Sequence, residues 1–172
     1  METKTRSGRI TTLTTPDTSN EIIIDRVFAL PVKKVWQALT EPEIFKKWWG
    51  PKEFTCPSSS IDLTTGGKYL NCMLSPKGEE FWSTGTFKEI IPQEKLVFTD
   101  SFADEKGNII SASSHNMPGD WPLELLITIS LEEEGEKTKL KLQHKGIPRE
   151  MQKECVQGWN ESFDKLEKID ND

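Results

Sequence analysis

Two stretches towards the C-terminal end of the chain alternate apolar and polar residues, and a short acidic turn joins them. In the first stretch, residues 123–131, one face carries Leu123, Leu125, Ile127, Ile129 and Leu131. In the second, residues 138–144, one face carries Leu140, Leu142 and His144, and the other carries Lys139, Lys141 and Gln143. A period of two is typical of strands with one buried face. The pattern therefore predicts an antiparallel hairpin in a sheet that is covered on one side only.

Five further segments have the character of strands. The first, residues 21–30, is rich in Ile and Val, as a well-buried strand is. The other four are residues 59–63, 68–74, 81–91 and 94–102, and turns that contain Gly or Pro separate them. Between the fifth and sixth predicted strands lies a loop, residues 103–121, which is long enough to be functional rather than connective.

Apolar residues recur at helical spacing in three other segments. Pro31 suits the first turn of a helix because it lacks an N–H, and a second short helix is predicted for residues 43–49. A long helix is predicted from Pro148 to near Ile169, with an apolar stripe of Met151, Cys155, Trp159, Ser162, Phe163 and Leu166. A sheet that curls around this helix buries both apolar faces, so the sequence predicts an α+β fold.

Composition and charge exclude several classes of function. The net charge of −6 and the pI near 5.1 oppose binding to nucleic acid or to an anionic membrane surface, because both recruit basic residues. No segment reaches the ~20 apolar residues that a membrane-spanning helix needs. The three cysteines are far apart in sequence, which favours reduced thiols and a cytoplasmic location over a disulfide framework.

The chain length of 172 residues fits one domain. Residues 1–19 are rich in Thr and lack apolar periodicity, so we expect a flexible lead-in, with residues 11–13 as a candidate edge strand. The start of the chain has Thr and charged residues where a secretory signal needs an apolar run. We expect residues 20–170 to form the single domain.

The six tryptophans are spread over predicted helices, strands and loops. This spread predicts an interior wall that many parts of the chain build together. Such a wall forms either a plain core or the lining of a hollow that accepts an apolar guest, and the aromatic residues alone do not decide between these.

Several short motifs, in this order along the chain, resemble those of the START-like SRPBCC superfamily. They are Phe28-Ala29-Leu30-Pro31 with Val35-Trp36, Trp48-Trp49-Gly50-Pro51, Asp62-Leu63 with Gly66-Gly67, Gly85 to Ile90, and Gly158-Trp159. All but the first resemble more narrowly the family named after the activator of the ninety-kilodalton heat-shock chaperone's ATPase. The resemblance covers residues 21–169.

This resemblance implies a helix-grip fold like that of the birch-pollen allergen: a curved antiparallel sheet around the C-terminal helix, two short helices after the first strand, and a cavity between the layers. The superfamily binds lipids, sterols, hormones and polyketide-like molecules, and a few members are enzymes. Two features depart from the family. The N-terminal chaperone-binding domain of the cochaperone has no counterpart here, and Cys155 stands where relatives often have His.

The predicted ligand-binding residues share the faces that should turn towards the cavity. They are Met73, Trp82, Phe87, Phe98, Asp100, Phe102, Ile127, Leu142, His144, Cys155, Trp159 and Phe163. Asn71 is a further polar candidate, and Met117 and Met151 could supply adaptable lining. The loop 103–121 and the Trp48-Trp49 pair would shape the entrance. No catalytic residue, metal ligand or cofactor is predicted, because the spacing of His and Cys fits no zinc site and no phosphate loop is present.

Three of the candidate positions have two interpretations each. Asp100 on an apolar face would have a raised pKa and could act as an acid or base, or it pairs with a neighbour. His144 polarises a ligand, or the backbone satisfies it at the end of its strand. Gly158 opens room beside the cavity, or it allows close packing of the helix, which we favour.

The sequence is consistent with three functions. The first is non-covalent binding of a small hydrophobic or amphipathic molecule between the sheet and the C-terminal helix. The second is a stress or chaperone accessory role, in which the surface of a monomer or homodimer binds a chaperone or other protein partner. The third, an enzyme acting on a bound hydrophobic substrate, needs a titrating group such as Asp100 or His144 inside the cavity.

Overall fold

A single antiparallel sheet of seven strands forms one layer of the structure, which is a computed structural model that describes residues 20–169. The strands are β1 (Glu21–Phe28), β2 (Thr55–Ile61), β3 (Lys68–Leu74), β4 (Glu80–Ile91), β5 (Lys95–Ala103), β6 (Leu125–Glu134) and β7 (Lys137–Lys145). The helices are α1 (Val32–Thr40), α2 (Pro42–Trp48) and α3 (Gln152–Leu166), with short 3₁₀ helices at Ala112–His115 and Arg149–Met151. The expected N-terminal lead-in and the edge strand at residues 11–13 lie outside the described residues.

The order of strands in the sheet is β1-β7-β6-β5-β4-β3-β2, and every neighbouring pair is antiparallel. Strands β2 to β7 follow one another as a meander, while α1 and α2 carry the chain from β1 at one edge to β2 at the other. The curved sheet, the long C-terminal helix and the two short helices after β1 confirm the predicted helix-grip fold.

The alternating faces of β6 and β7 are buried as predicted, with Ile127, Ile129 and Leu142 all at most 2% exposed. Leu123 is the exception, because it is 58% exposed and precedes β6. The ladder between β6 and β7 starts only at Leu126 and Lys145, and Gly146, with φ of 105°, turns the chain away beyond it. Within residues 20–169, no partner strand therefore holds Leu123 against the core.

Two element boundaries differ from the sequence prediction. Strand β2 begins four residues earlier than predicted, and its early part includes Pro57. This is tolerated because β2 is an edge strand with a register shift between Thr55 and Ser58. The long helix is shorter than predicted, because Pro148 is extended (ψ 146°) and a 3₁₀ turn precedes the α-helical residues.

The apolar face of α3 packs between the sheet and the short helices. Phe163 is fully buried and contacts the ring of Phe28 edge-on at 5.5 Å and the ring of Trp48 at 6.0 Å. Trp48 in turn donates its indole N–H to the Ala38 carbonyl oxygen at 2.8 Å, which ties α2 to α1. No helix among residues 20–169 is long and apolar enough to span a bilayer.

Candidate functional site

Two adjacent cavities lie between the sheet and α3. The outer cavity has a volume of about 300 Å³ and is bounded by α3, by β3 to β7 and by the loop that follows β5. The inner cavity is smaller, about 50 Å³, and lies towards α1 and α2. Trp49, Ser83, Asp100 and Trp159 line both cavities. Any polar group at the boundary between the two spaces is therefore accessible from either side.

The walls of the outer cavity are mostly aromatic and sulfur-containing. Its lining residues are Trp49, Gly50, Pro51, Met73, Phe81, Trp82, Ser83, Asp100, Ser101, Phe102, Met117, Trp121, Leu125, His144, Met151, Glu154, Cys155, Gly158, Trp159 and Ser162. The loop after β5 supplies Met117 and Trp121, and the end of α2 supplies Trp49. Trp121 is held in place because its indole N–H donates to the Pro118 carbonyl oxygen at 2.8 Å.

The structure brings most of the predicted ligand-binding residues to these cavities. Met73, Trp82, Phe102, His144 and Cys155 line the outer cavity, Phe87, Phe98 and Ile127 line the inner one, and Asp100 and Trp159 line both. Asn71, the further polar candidate, lines the inner cavity. Leu142 and Phe163 line neither, because both are completely buried within the packed core.

The sequence patterns did not single out Tyr69, which lines the inner cavity. The signal was present, because Tyr69 alternates with Asn71 and Met73 on β3, so all three share one face. The Tyr69 hydroxyl donates to Asp100 Oδ1 at 2.8 Å and also lies 3.0 Å from the Thr99 carbonyl oxygen. Burial, together with the negative charge of Asp100, raises the pKa of Tyr69 well above its ordinary value. Tyr69 is therefore a fixed donor to Asp100.

Gly85 allows β4 and β5 to approach closely at this point. A Cβ atom on Gly85 would overlap the Thr99 carbonyl oxygen and would lie 2.8 Å from Tyr69 Cε2. The Thr99 hydroxyl oxygen accepts the backbone N–H of Thr86 at 2.9 Å. The close approach places the end of the Tyr69 side chain beside Thr99 and Asp100.

His144 on β7 is buried, with 7% of its surface exposed. Its Nδ1 atom accepts a hydrogen bond of 3.1 Å from the indole N–H of Trp159 on α3. Its Nε2 atom lies 3.5 Å from Asp100 Oδ2, which is longer than an ordinary hydrogen bond, and has no hydrogen-bond partner among the described residues. The backbone does not satisfy His144, contrary to one of the two interpretations of its sequence position. Its side chain joins the sheet to the helix.

Cys155 faces the outer cavity one turn before Trp159 on α3. Burial, with a smaller contribution from the carboxylates of Asp100 and Glu154, raises the pKa of its thiol to about 12. The thiol is thus neutral at physiological pH and acts as an apolar part of the wall.

Gly158 on α3 lines the outer cavity. The nearest atom to a Cβ built on Gly158 would be Pro51 Cγ at 3.6 Å, an ordinary van der Waals contact. The favoured interpretation, that Gly158 allows close packing, was therefore wrong, because no contact among the described residues is close enough to require glycine here. Within residues 20–169, no group of three or more His, Cys, Asp or Glu side chains is placed to hold a metal ion.

Comparisons with known proteins agree with this architecture. A protein from Chromobacterium violaceum is 27% identical with a TM-score of 0.72, covering 87% of this chain and 96% of its own. The AHSA1 protein from Silicibacter pomeroyi is 21% identical with a TM-score of 0.69, covering 86% and 94% respectively. A search of curated proteins gave no match. The family described as Activator of Hsp90 ATPase homolog 1-like protein matches residues 29–169, and the chain belongs to this family.

Proposed function

We propose that the protein binds a small apolar or amphipathic molecule, non-covalently, in the outer cavity. The observation that carries this proposal is a space of about 300 Å³ between the sheet and α3, with walls that are mostly aromatic and sulfur-containing. Ligand sites in proteins are mostly apolar clefts with a few polar groups that fix orientation. Asp100 and His144 are such groups here.

The size of the outer cavity favours a compact ligand. Its volume of about 300 Å³ lies at the lower end of the range of about 300–1,000 Å³ that is typical of ligand pockets. A molecule with one or two rings fits this space better than a long acyl chain. Met73, Met117 and Met151 line the cavity with flexible thioether side chains that adapt to the shape of a guest.

We further propose that Trp49 and the loop 103–121 form the entrance, since Trp49, Met117 and Trp121 line the outer cavity from outside the sheet. The three cysteines are unpaired in the structure, which supports our proposal of a cytoplasmic location. We also propose that residues 20–170 act as one domain.

The family name favours a second candidate, binding to a chaperone or another protein partner. The surface gives this candidate little support. In the described part of the chain, the large hydrophobic side chains that are exposed are Ile91, Ile109 and Leu123. Three such side chains do not make up the large contiguous apolar patch that is typical of an interaction surface. We therefore place the first test on the cavity.

Native mass spectrometry of the protein purified from its own host tests the proposal. We expect a stoichiometric small organic molecule on the wild-type protein and its loss from Cys155→Phe, which places a phenyl ring in part of the outer cavity. The matched control is Gln157→Phe, because Gln157 is exposed on the same helix and does not line the cavity.

A ligand retained by the folded Cys155→Phe variant would contradict the proposed site. An empty wild-type protein that captures a partner protein equally well with and without Cys155→Phe would favour the second candidate instead. Circular dichroism establishes that both variants are folded.

A further inference from the structure

We infer that the ligand of the outer cavity carries a neutral hydroxyl group and that this group bridges the side chains of Asp100 and His144. This inference rests on the proposed function and adds the polar chemistry of the ligand. Three observations carry it: an unpartnered donor, an acceptor atom beside it, and the charge of the surrounding wall.

The donor is Nε2 of His144. The indole N–H of Trp159 can only donate a hydrogen bond, so His144 Nδ1, which receives it at 3.1 Å, must be the unprotonated nitrogen of the ring. A neutral imidazole then carries its proton on Nε2. That Nε2–H group is buried, has no hydrogen-bond partner among the described residues and belongs to a residue that lines the outer cavity. A buried donor left in this state is costly, and a ligand acceptor would satisfy it.

The acceptor is Oδ2 of Asp100. The other carboxylate oxygen, Oδ1, receives the hydroxyl of Tyr69 at 2.8 Å. Oδ2 faces His144 Nε2 at 3.5 Å. The two atoms are too close together for an oxygen to lie on the line that joins them. A hydroxyl oxygen about 2.8 Å from each would lie beside that line, where it accepts from Nε2–H and donates to Oδ2. The site therefore matches one ligand group that both donates and accepts.

The charge of the wall selects against other polar groups. Among the described residues that line the outer cavity, Asp100 and Glu154 are acidic and none is Lys or Arg. A ligand carboxylate would meet the Asp100 charge with no basic residue to compensate it. An ammonium group would be attracted by the carboxylate of Asp100. It has no lone pair, however, and so cannot accept a hydrogen bond from the Nε2–H group of His144. A carbonyl or an ether accepts from His144 but has no proton for Asp100.

The position of the pair also orients the ligand. Asp100 lies at the boundary between the cavities, so a hydroxyl group there directs the apolar body into the outer cavity. The rings of Trp82, Phe102 and Trp121 line that space and suit a flat aromatic or alicyclic body. The inferred class is a compact phenol, enol or alcohol with one or two rings.

A series of matched probes tests the inference. We would titrate the full-length protein with naphthalene, 2-methoxynaphthalene, 2-naphthol, 2-naphthoate and 2-naphthylmethylammonium. The indole resonance of Trp159 in ¹H–¹⁵N spectra reports binding at the site. We expect 2-naphthol to bind about tenfold or more tightly than 2-methoxynaphthalene, because hydrogen bonds to charged groups are the stronger kind. Naphthalene should bind more weakly still, and 2-naphthoate the most weakly of the five.

A pair of variants assigns the preference to Asp100. In Asp100→Asn the amide can still accept from Tyr69 but then presents N–H groups towards His144, so the ratio of the 2-naphthol and 2-methoxynaphthalene affinities should fall to about one. The matched control is Glu132→Gln, which removes an exposed carboxylate on the β6–β7 hairpin, away from the lining of both cavities. It should keep the wild-type ratio.

The outcomes separate the inference from the proposed function. Equal affinities for the three neutral probes, or tightest binding of 2-naphthoate or of the ammonium probe, would overturn the hydroxyl inference and leave cavity binding intact. An unchanged ratio in Asp100→Asn would also overturn it. If none of the five probes perturbs Trp159 or other lining residues, both proposals fail.

Discussion

Two glycines in the chain serve different purposes, and the difference is visible in what a methyl group would meet. Gly85 is buried between β4 and β5, and a Cβ there would overlap the Thr99 carbonyl oxygen. Gly158 lies within α3, and a Cβ there would make an ordinary van der Waals contact with Pro51 Cγ at 3.6 Å. One position needs glycine for the close approach of two strands, whereas the other leaves room beside the outer cavity.

The two alanine substitutions should therefore change stability in opposite directions. Gly85→Ala must separate β4 from β5, and we expect it to lower the free energy of unfolding by about 2 kcal/mol or more. Gly158→Ala relieves the poor helix propensity of glycine and should raise it by about 0.5–1 kcal/mol. Urea denaturation, followed by tryptophan fluorescence, measures the free energy of unfolding of both variants. A stability loss in Gly158→Ala, or none in Gly85→Ala, would contradict this assignment.

At the scale of elements, Arg26 fastens β1 to α3. Its guanidinium donates to the Asn160 carbonyl oxygen at 3.0 Å, to Asp164 Oδ1 at 2.6 Å and to Glu167 Oε1 at 3.2 Å. It also lies over the rings of Phe28 and Phe163, with its central carbon 5.6 Å and 5.9 Å from their centroids. The Arg26 side chain is only 10% exposed. One residue thus joins the edge strand to the C-terminal helix through three kinds of contact.

We expect Arg26→Ala to lower the free energy of unfolding by about 1–3 kcal/mol, because it removes several charge-assisted hydrogen bonds of a guanidinium that is itself mostly buried, although its partner Asp164 is exposed. Arg26→Lys should recover only part of the lost free energy of unfolding. An ammonium group cannot bind several acceptors in one plane or stack on a ring as a guanidinium does. Urea denaturation measures the free energy of unfolding of each variant.

Lys139→Ala is the matched control, because the Lys139–Glu134 pair is 3.7 Å long and about half exposed on both sides. It should change stability by less than about 0.5 kcal/mol. If Arg26→Ala were no more costly than Lys139→Ala, the contacts of Arg26 would not stabilise the packing of α3.

The elements also show how far sequence reasoning reaches. Alternation along β6 and β7 predicted their buried faces because one side of the sheet is packed against α3. It gave no warning that Leu123 would be exposed, since the end of a strand depends on where its partner turns away. Alternation also predicted too late a start for β2, because an edge strand with Pro57 and a register shift has no regular period.

At the scale of the whole molecule, the site exists only when both layers come together. Strand periodicity brought Phe98, Asp100 and Phe102 to one face, and helical periodicity did the same for Cys155 and Trp159. The hydrogen bond between Trp159 and His144, however, joins α3 to β7, and the contact between Tyr69 and Asp100 joins β3 to β5. No local pattern specifies such pairs, because they depend on the curvature of the sheet and on the position of the helix against it.

The Cys155 thiol offers a readout of this packing. Its pKa of about 12 arises first from burial, then from Asp100 across the cavity on the sheet, and then from Glu154 on the helix itself. Between about pH 9 and pH 12, the thiol therefore keeps its proton in the folded state, whereas in the unfolded state, with an ordinary pKa of 9.0, it loses that proton. The stability associated with the buried thiol is therefore present below about pH 9 and is lost as the pH rises towards 12.

Alkylation by iodoacetamide, followed by peptide mapping of Cys155, tests this at the scale of the whole fold. Because only the thiolate reacts, the rate in the native protein should rise about tenfold per pH unit from pH 8 to 10 without levelling off, since the fraction of thiolate grows in that proportion below the pKa. The urea-denatured protein, as control, should level off above pH 9. A steric barrier that does not change with pH lowers the rate by the same factor at every pH and leaves the slope unaltered. Asp100→Asn should speed alkylation at pH 8.5 more than Glu154→Gln does, following the order of their contributions. A plateau near pH 9 in the native protein would mean that water reaches Cys155 freely and that α3 does not close over the cavity as the structure describes.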